Sequence, residues 1–279
     1  MKTVFRIALK FLFHTEALRT SFPKRLLMPR PGMRPLNIGH RGHSDTLENT
    51  LMSFHQAIDM GAKMMELDVR LTKDGVPVVF HDYGLGRISK KSGNVSNRTS
   101  KHILNVELPG GHRIPSLHQV LKELLPRVPI NLELKFRHLD YRPLVTKVCD
   151  TVKEFDAESK ILVSSFHHGS LKIVRRLAPG IATAPLFGWS TGLPHDDDLE
   201  ELAALPQPEN DLDFHRPAAV LYYGQIDESL TKSFLDYDLT LLTYTVDELP
   251  EMERLSKLGV DGIITNRPGR LHSYLTEAF

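Results

Sequence analysis

The stretch MMELDVRLTKDGVPVVF, residues 64–80, contains two apolar runs separated by a tight-turn sequence. The runs are residues 64–71 and 76–80, and the turn sequence Thr72-Lys73-Asp74-Gly75 lies between them. Parallel strands cannot be joined so closely, because a parallel crossover needs about a dozen residues or more. We therefore predict that the second run returns antiparallel on the first.

The centre of this hairpin is expected near residues 73 and 74, which would bring His81 roughly opposite Glu66. Residues 83–115 follow the hairpin and are polar, with several Gly, Ser and Asn. We predict that they form an inserted loop region over one end of the sheet.

Outward from the hairpin, short apolar runs alternate with segments of helical pattern. The further runs are Leu36–Gly39, Ile130–Lys135, Ile161–Phe166, Ile181–Phe187, Ala218–Tyr223, Leu239–Val246 and Gly262–Thr265. One intervening segment opens with Ser116-x-x-Gln119, the start of a capping box, and leucines follow at helical spacing. Strands that alternate with helices are typical of a parallel sheet. The α/β pattern predicts a (β/α)8 TIM-type barrel with an antiparallel return strand after strand 2.

Composition and charge indicate one globular domain, predicted over residues 34–279. The 279-residue chain is 41% hydrophobic and 25% charged, which is ordinary for a soluble protein. Its net charge of +1 gives no sign of nucleic-acid binding, and we expect none. The single cysteine, Cys149, excludes an internal disulfide and is expected to be a buried apolar residue. It favours a reducing compartment, and we expect a cytoplasmic location.

Residues 1–33 form a basic amphipathic N-terminal segment with a composition unlike that of the remaining chain. Lys2, Arg6 and Lys10 recur every four residues, which would place them on one stripe of a helix whose other face is apolar. The apolar run is too short to span a bilayer. Such a helix could lie at a membrane surface, giving peripheral contact through residues 1–30. Alternatively, it could pack across the bottom of the barrel.

Polar and charged side chains stand at the ends of three predicted strands and after the return strand. They are His40, Arg41, Glu66, Asp68, His81, Glu133 and Lys135. Active sites of such barrels lie at the C-terminal ends of the strands, where all seven fall. The alternative is a structural ion network, in which Glu133 and Lys135 pair with each other or with Asp68. The shared position of all seven favours an active site.

Three carboxylates are expected to converge at this end of the barrel. Residues i and i+2 of a strand point to the same face, so Glu66 and Asp68 share a face, as do Glu133 and Lys135. Converging carboxylates repel one another, and a hard divalent cation is the simplest way to satisfy them. Oxygen ligands suit both Mg²⁺ and Ca²⁺, so these residue types predict a divalent cation without choosing between the two.

The remaining four residues point to phosphoryl chemistry. Two histidines beside the carboxylates, His40 and His81, indicate an acid–base pair that works near neutral pH. Arg41 and Lys135 supply positive charge suited to a phosphate. An isomerase or aldolase on a metal-dependent barrel would not need two histidines beside an Arg–Lys phosphate clamp. The residues alone therefore predict a metal-assisted phosphodiesterase.

At these positions the sequence resembles the glycerophosphodiester phosphodiesterase family. The similar segments are Ile38–Gly42, Leu47–Thr50, Glu66–Val69, Leu71–Asp82, Leu132–Lys135 and Gly259–Pro268. Together they extend from residue 36 to about residue 270. The combination is specific to the family, whereas His-Arg-Gly alone would be a weak signal.

The resemblance implies a barrel that hydrolyses a glycerophosphodiester to sn-glycerol 3-phosphate and an alcohol. By similarity, Glu66, Asp68 and Glu133 would hold a divalent cation, Mg²⁺ or Ca²⁺. His40 would act as general base and His81 as general acid. Arg41 and Lys135 would hold the phosphate. A neighbouring glycerol hydroxyl would attack phosphorus, with a cyclic phosphate as the intermediate.

The chain departs from the family pattern in its late strands. The family usually has a tryptophan and an asparagine where this chain reads Tyr244-Thr245-Val246-Asp247, and often an aspartate where Asn266 stands. We expect Tyr244 to line the substrate pocket in place of the tryptophan. Phe166 resembles a family position near the mouth, although ordinary strand-end packing would also explain it.

The leading function is therefore hydrolysis of deacylated phospholipids such as glycerophosphocholine. One alternative is a lysophospholipase D that accepts a substrate with one acyl chain at a membrane surface, since residues 1–30 could bring the enzyme there. The other is a catalytically dead barrel that only binds a phosphorylated ligand. A dead barrel should have lost one of the seven residues, and all of them are present.

Overall fold

In the computed structural model, residues 34–136, 140–188, 191–212 and 216–279 are described. The described residues form nine strands. They are β1 (Leu36–His40), β2 (Met64–Leu71), β3 (Pro77–Val79), β4 (Ile130–Leu134), β5 (Ile161–Ser165), β6 (Ala182–Phe187), β7 (Ala218–Tyr222), β8 (Thr240–Tyr244) and β9 (Gly262–Thr265). Eight of them pair in parallel in the order β1-β9-β8-β7-β6-β5-β4-β2, and β1 also pairs with β2. This pairing closes the sheet and confirms the predicted barrel.

Helices connect the strands and cover the outside of the barrel. They are α1 (Leu51–Asp59), α2 (Gly86–Ser89), α3 (Ser100–Ile103), α4 (Leu117–Leu124), α5 (Arg142–Glu154), α6 (His168–Leu177), α7 (Asp196–Ala203), α8 (Glu228–Asp236), α9 (Leu249–Leu258) and α10 (Pro268–Ala278). Short 3-10 helices span Val95–Asn97, Pro109–Gly111, Glu158–Lys160 and Tyr223–Gln225. The predicted capping box is present at α4, where the Ser116 side chain accepts from the Gln119 backbone amide.

The return strand is antiparallel, as the turn sequence predicts. β3 pairs with β2, with Val69 opposite Val79 and Leu71 opposite Pro77. The backbone amide of Phe80 continues the ladder by donating to the Asp68 carbonyl at 2.9 Å. Continued one residue further, this register puts His81 opposite Leu67, next to the expected position opposite Glu66. The hairpin therefore carries His81 back to the end of β2 that holds the carboxylates.

The inserted region, residues 83–115, is more regular than the predicted loop. It contains α2, α3 and two 3-10 helices. Leu85, Ile88 and Ile103 pack with Val78 and Phe80 in a small apolar core on the outer side of the hairpin. Because each helix of this region has only three or four residues, no helical period is visible in the sequence.

Alternation along the strands separates an outer core from an inner one. On β2, Met65, Leu67 and Val69 pack outward against the helices, whereas Met64 packs inside the barrel. Side chains two residues apart share a face, so Glu66 and Asp68 also point inward. The inner apolar cluster is Leu36, Ile38, Met64, Leu162, Ala182, Ala184, Leu186, Leu212, Ala218, Val220, Leu242 and Ile264. Apolar side chains thus fill the lower barrel, and polar ones occupy its upper end.

The N-terminal basic segment, residues 1–33, lies outside the described residues, so its predicted membrane contact and the domain boundary at residue 34 stay predictions. Within the described ranges, no helix combines the length and apolar character needed to cross a bilayer. Cys149 is buried in the outer core, as expected. Its burial raises the pKa of the thiol to about 11, which makes it a poor nucleophile.

Asp74 ties the hairpin turn to the inserted region. Its carboxylate accepts from the Thr72 hydroxyl at 2.7 Å and from the Ser100 backbone amide and hydroxyl at 2.7 and 2.8 Å. These bonds, that from Thr72 first, lower the pKa of Asp74 to about 2. A lowered carboxyl pKa stabilises the fold above the unfolded pKa of about 3.9, and this stabilisation is lost as the pH falls toward 2.

We therefore expect Asp74→Ala to lower the melting temperature at neutral pH and to have a shrinking effect as the solution is acidified. Thermal unfolding followed by circular dichroism at several pH values would measure the difference between variant and wild type. A difference that stays constant down to about pH 2 would contradict the role given to the carboxylate.

Candidate active site

The upper end of the barrel brings together the residues that the strand pattern singles out. Sheet register does this directly, since His40 on β1 lies opposite Glu66 on β2, and Asp68 on β2 lies opposite Glu133 on β4. The Glu66, Asp68 and Glu133 side chains all point into the barrel, because their neighbours Leu67, Leu132 and Leu134 pack outward. Three adjacent strands therefore build the floor of the site.

The three carboxylates Glu66, Asp68 and Glu133 can hold a metal ion. They are 3%, 0% and 8% exposed, and one oxygen of each lies within 4.8 Å of the others. Glu66 Oε1 accepts no hydrogen bond, whereas Asp68 Oδ1 and Glu133 Oε1 pair with the ammonium of Lys135, at 3.2 and 2.5 Å. Three buried carboxylates that share so few donors are suitable ligands for a hard divalent cation.

The electrostatics of the three carboxylates differ. Burial, followed by the charges of Asp68 and Glu133, raises the pKa of Glu66 well above its usual range. Burial would also raise the pKa of Asp68, but the charges of Lys135 and Arg41 outweigh it and lower that pKa. Burial and the charge of Asp68 also raise the pKa of Glu133, although Lys135 opposes this shift. A bound cation would favour the ionised form of both glutamates.

Arg41 is fixed at the end of β1 by an unusual backbone. Its φ is +53°, and Gly42 follows with φ +99°, where a Cβ atom would overlap Ser53. This turn lets the Arg41 amide donate to the Glu66 carbonyl at 2.9 Å while its guanidinium Nε lies 3.0 Å from Asp68 Oδ2. Arg41 and Lys135 therefore approach Asp68 from two sides and present positive charge to the pocket.

His40 is partly buried beside the carboxylates, with 16% of its side chain exposed. Its Nε2 lies 3.9 Å from Glu66 Oε2, and its Nδ1 is 2.8 Å from the side-chain oxygen of Asn266. Burial first, and then the charge of Arg41, lower the pKa of His40 to about 4. The ring is therefore neutral near pH 7, the form that can take up a proton.

His81 directly follows Phe80 after the return strand β3. Its Nδ1 is 2.7 Å from Asp82 Oδ1, and its carbonyl accepts from Arg70 Nε at 2.7 Å. Arg87 of the inserted region binds the Asp82 carboxylate and also reaches Glu48. Burial lowers the pKa of His81, whereas the charge of Asp68 and the bond to Asp82 raise it. The Asp82 contact orients the ring and leaves Nε2 free for a substrate.

Several supporting residues were not given roles by the sequence. Asn49, in the family-like segment Leu47–Thr50, donates to Asp68 Oδ2 at 2.8 Å from a backbone with φ +58°. Arg70, two residues after Asp68 on β2, donates to the carbonyls of His81 and Lys135. Alternation along β2 was the available signal for Arg70, since it falls on the same face as the carboxylates.

The mouth of the site has aromatic walls at the two predicted positions. Phe166 follows β5, is 36% exposed, and has its ring centre 6.0 Å from Lys135 Nζ. The rings of Phe166 and Tyr244 lie nearly perpendicular, with centres 6.1 Å apart. The Tyr244 hydroxyl donates to the Phe187 carbonyl at 3.0 Å, so it is already bonded. Both rings therefore offer apolar surface beside the charged floor.

Comparison with known proteins gives a consistent result. The model of the Glycerophosphoryl diester phosphodiesterase family matches residues 40–270. A Glycerophosphodiester phosphodiesterase from Caldanaerobacter subterraneus subsp. tengcongensis is 32% identical over 248 residues, which covers 86% of this chain and 97% of the relative. Lysophospholipase D GDPD1 from Mus musculus is 28% identical over 298 residues and covers 94% of this chain and 93% of its own.

A solved structure has the same barrel. The phosphodiesterase from Oleispira antarctica, determined in complex with the product sn-glycerol-3-phosphate, superposes with a TM-score of 0.76 at 23% identity, covering 87% of this chain and 97% of its own. This likeness establishes the fold. With the family match over most of the chain and the relative at 32% identity, the chain is an enzyme of the glycerophosphoryl diester phosphodiesterase family.

Proposed function

We propose that this protein hydrolyses glycerophosphodiesters to sn-glycerol 3-phosphate and an alcohol, with a divalent cation and a pair of histidines. The observation that carries the proposal is the convergence of Glu66, Asp68 and Glu133 within 4.8 Å at the barrel end that also holds His40. A cation held by these carboxylates would act as a Lewis acid on a phosphoryl oxygen. Membership of the family supports the substrate class.

Arg41 and Lys135 are the residues proposed to bind the phosphate. Their side chains are only 17% and 15% exposed, so their charges are weakly screened by water. The guanidinium can donate two parallel hydrogen bonds, whereas the ammonium acts as a point charge. Both groups already contact Asp68, which holds them in place on either side of the proposed phosphate position.

In the proposed reaction, His40 Nε2 takes the proton of the glycerol hydroxyl next to the phosphate. That oxygen forms a bond to phosphorus, and the bond between phosphorus and the alcohol oxygen breaks. Protonated His81 gives its Nε2 proton to the departing oxygen, leaving a cyclic glycerophosphate. Neutral His81 then takes a proton from the water that opens the ring, and His40 returns its proton to the glycerol oxygen.

This sequence needs His81 to carry a proton when substrate is bound. Burial, with the charges of Arg41 and Lys135, lowers the pKa of His81 in the protein without ligands. An anionic phosphodiester beside these two cations would offset their charge and raise that pKa. Asp82 acts in the same direction through its bond to Nδ1. Substrate binding is thus coupled to protonation of His81, the proposed general acid.

Release of glycerol 3-phosphate from glycerophosphocholine tests the proposal. We expect activity that EDTA removes and that Mg²⁺ or Ca²⁺ restores. In His40→Ala, kcat should fall about a hundred- to ten-thousand-fold, because proton removal from the attacking hydroxyl is lost. An unchanged rate in EDTA would contradict the metal role. Failure of wild type to release glycerol 3-phosphate under either metal would leave the lysophospholipase and ligand-binding alternatives.

The second candidate function is a lysophospholipase D activity on lysophospholipids. It is favoured by the half-exposed aromatic wall of Phe166 and Tyr244, which an acyl chain could contact. The mouse relative bears the name of this activity. Parallel assays with glycerophosphocholine and lysophosphatidylcholine, with and without anionic vesicles, separate the two functions. A chain without residues 1–30 would test whether the N-terminal segment brings the enzyme to a membrane.

A further inference from the structure

We propose that Asp247 and Asn266 are positioning residues that hold His40 in the tautomer with its proton on Nδ1, so that Nε2 faces the substrate as a free base. This inference rests on the proposed role of His40 as general base. Both residues lie where the sequence departs from the family pattern, and neither is among the seven residues that the sequence singled out. In the structure they contact each other, and Asn266 contacts His40.

The Asp247 carboxylate fixes the orientation of the Asn266 amide. Its Oδ1 accepts from the Asn266 backbone amide at 2.8 Å and from the Thr265 hydroxyl at 3.1 Å. Its Oδ2 accepts from the Asn266 side-chain Nδ2 at 2.7 Å. An ionised carboxylate can only accept hydrogen bonds, so the NH₂ group of Asn266 must face Asp247. The side-chain oxygen of Asn266 is therefore turned the other way, toward His40.

The orientation of the amide decides the tautomer of His40. Asn266 Oδ1 lies 2.8 Å from His40 Nδ1 and can only accept, so the imidazole proton belongs on Nδ1. The other ring nitrogen, Nε2, then carries a lone pair and points toward the floor of the site, 3.9 Å from Glu66 Oε2. A general base needs this lone pair, because the reversed tautomer would present an N–H to the glycerol hydroxyl.

Replacing one carboxylate oxygen of Asp247 by an NH₂ group should reverse the tautomer of His40. In Asp247→Asn, the single remaining oxygen is expected to keep the bonds from the Asn266 backbone amide and the Thr265 hydroxyl. The new NH₂ group then faces the Asn266 side chain, which must flip to offer its oxygen. After the flip, the NH₂ group of Asn266 faces His40 Nδ1, which must accept, and the ring proton moves to Nε2.

Exchanging the two residues should restore the tautomer. In the double variant Asp247→Asn/Asn266→Asp, the amide at 247 donates to the carboxylate at 266. The second oxygen of that carboxylate accepts from His40 Nδ1. The exchange keeps the net charge and the size of both side chains, so it separates hydrogen-bond direction from packing. The single variant Asn266→Leu removes the acceptor while keeping a similar shape.

Nitrogen NMR of histidine-labelled, metal-free protein near neutral pH reads the tautomer without measuring activity. The His40 signals, assigned by comparison with His40→Gln, should report protonated Nδ1 in wild type and in the double variant. They should report protonated Nε2 in Asp247→Asn. Steady-state kinetics should then give a kcat about 10–100-fold lower in Asp247→Asn with KM nearly unchanged, and substantial recovery in the double variant.

Glu248→Gln is the matched control, since it makes the same charge change one residue away, and its exposed carboxylate pairs with Arg270 rather than with Asn266. In Glu248→Gln, we expect the His40 tautomer and kcat to equal those of wild type. Protonated Nδ1 in Asp247→Asn, or no recovery of tautomer in the double variant, would overturn the proposal. If the tautomers follow the prediction but kcat does not change, the role of His40 as base fails instead.

Discussion

In a single turnover, replacement of His81 by glutamine should slow choline release from glycerophosphocholine about a hundred- to ten-thousand-fold, but should slow nitrophenol release from its glycerophosphodiester far less. An alkoxide is a poor leaving group and needs a proton from the general acid as the bond to phosphorus breaks. Nitrophenolate leaves without one. The comparison of the two substrates therefore measures proton donation directly, separately from binding or folding.

The family resemblance implies the acid role of His81, and the geometry of its ring supports that role. Its Nδ1 is held by Asp82 at 2.7 Å, and Asp82 is held in turn by Arg87 from the inserted region. Nε2 is then the nitrogen left to donate to a leaving group. Asp82→Asn should reproduce the leaving-group dependence of His81→Gln with a smaller loss, because the ring remains but is less well oriented.

Two histidine variants serve as controls. His40→Gln should impair both substrates equally, because the attacking hydroxyl must lose its proton whichever group leaves. His102→Gln, on the exposed surface of the inserted region, should leave both rates unchanged. If His81→Gln lowers both rates by the same factor, then His81 does not protonate the leaving group, and the roles proposed for the two histidines are wrong.

The barrel and the location of its site could be predicted because local patterns determine both. The four-residue turn Thr72–Gly75 excludes a parallel crossover, and the structure has β3 antiparallel to β2. Alternation along β2 assigns Glu66 and Asp68 to the barrel interior, where they lie. The carboxyl ends of neighbouring strands meet at one edge, so the strand pattern also predicts which residues converge.

Contacts between side chains of distant residues could not be predicted in this way. Arg87 reaches Glu48, 39 positions earlier in the chain, and Asn266 binds Asp247, 19 positions earlier. These bonds depend on loop conformations that no periodic pattern encodes. The helices of the inserted region were not predicted either, because they are too short to produce a hydrophobic period. The sequence therefore predicted which candidate residues converge at this end of the barrel, and it did not predict the residues that contact and orient them.

Glu66→Gln and Asp68→Asn should have opposite effects on stability although both remove one carboxylate from the same cluster. The pKa of Glu66 is raised, mainly by burial, which means that its charge is unfavourable in the protein without metal. Glutamine resembles the protonated acid, so this variant should melt at or above the temperature of wild type in EDTA. The melting temperature of the variant should exceed that of wild type by more as the pH rises above about 4.5. The reason is that ionisation of a group with a raised pKa destabilises the folded protein.

For Asp68, in contrast to Glu66, the charged form is favoured in the folded protein. Its pKa is lowered because the charges of Lys135 and Arg41 outweigh the effect of burial, and Asn49 adds a hydrogen bond. Neutralising it leaves two largely buried cations without their shared partner. Breaking a buried ion pair by removing one partner costs about 3–5 kcal/mol. Asp68→Asn should therefore lower the melting temperature clearly in EDTA.

Both variants should nevertheless lose the response to metal. Mg²⁺ or Ca²⁺ should raise the melting temperature of wild type, because a ligand that binds only the folded protein stabilises it. The shift should be absent or much smaller in both variants, and hydrolysis of glycerophosphocholine should fall about a thousandfold, equivalent to the several kcal/mol that a bound metal supplies. Equal destabilisation of both variants in EDTA would contradict the electrostatic assignment. A full metal response in Glu66→Gln would remove Glu66 from the proposed ligands.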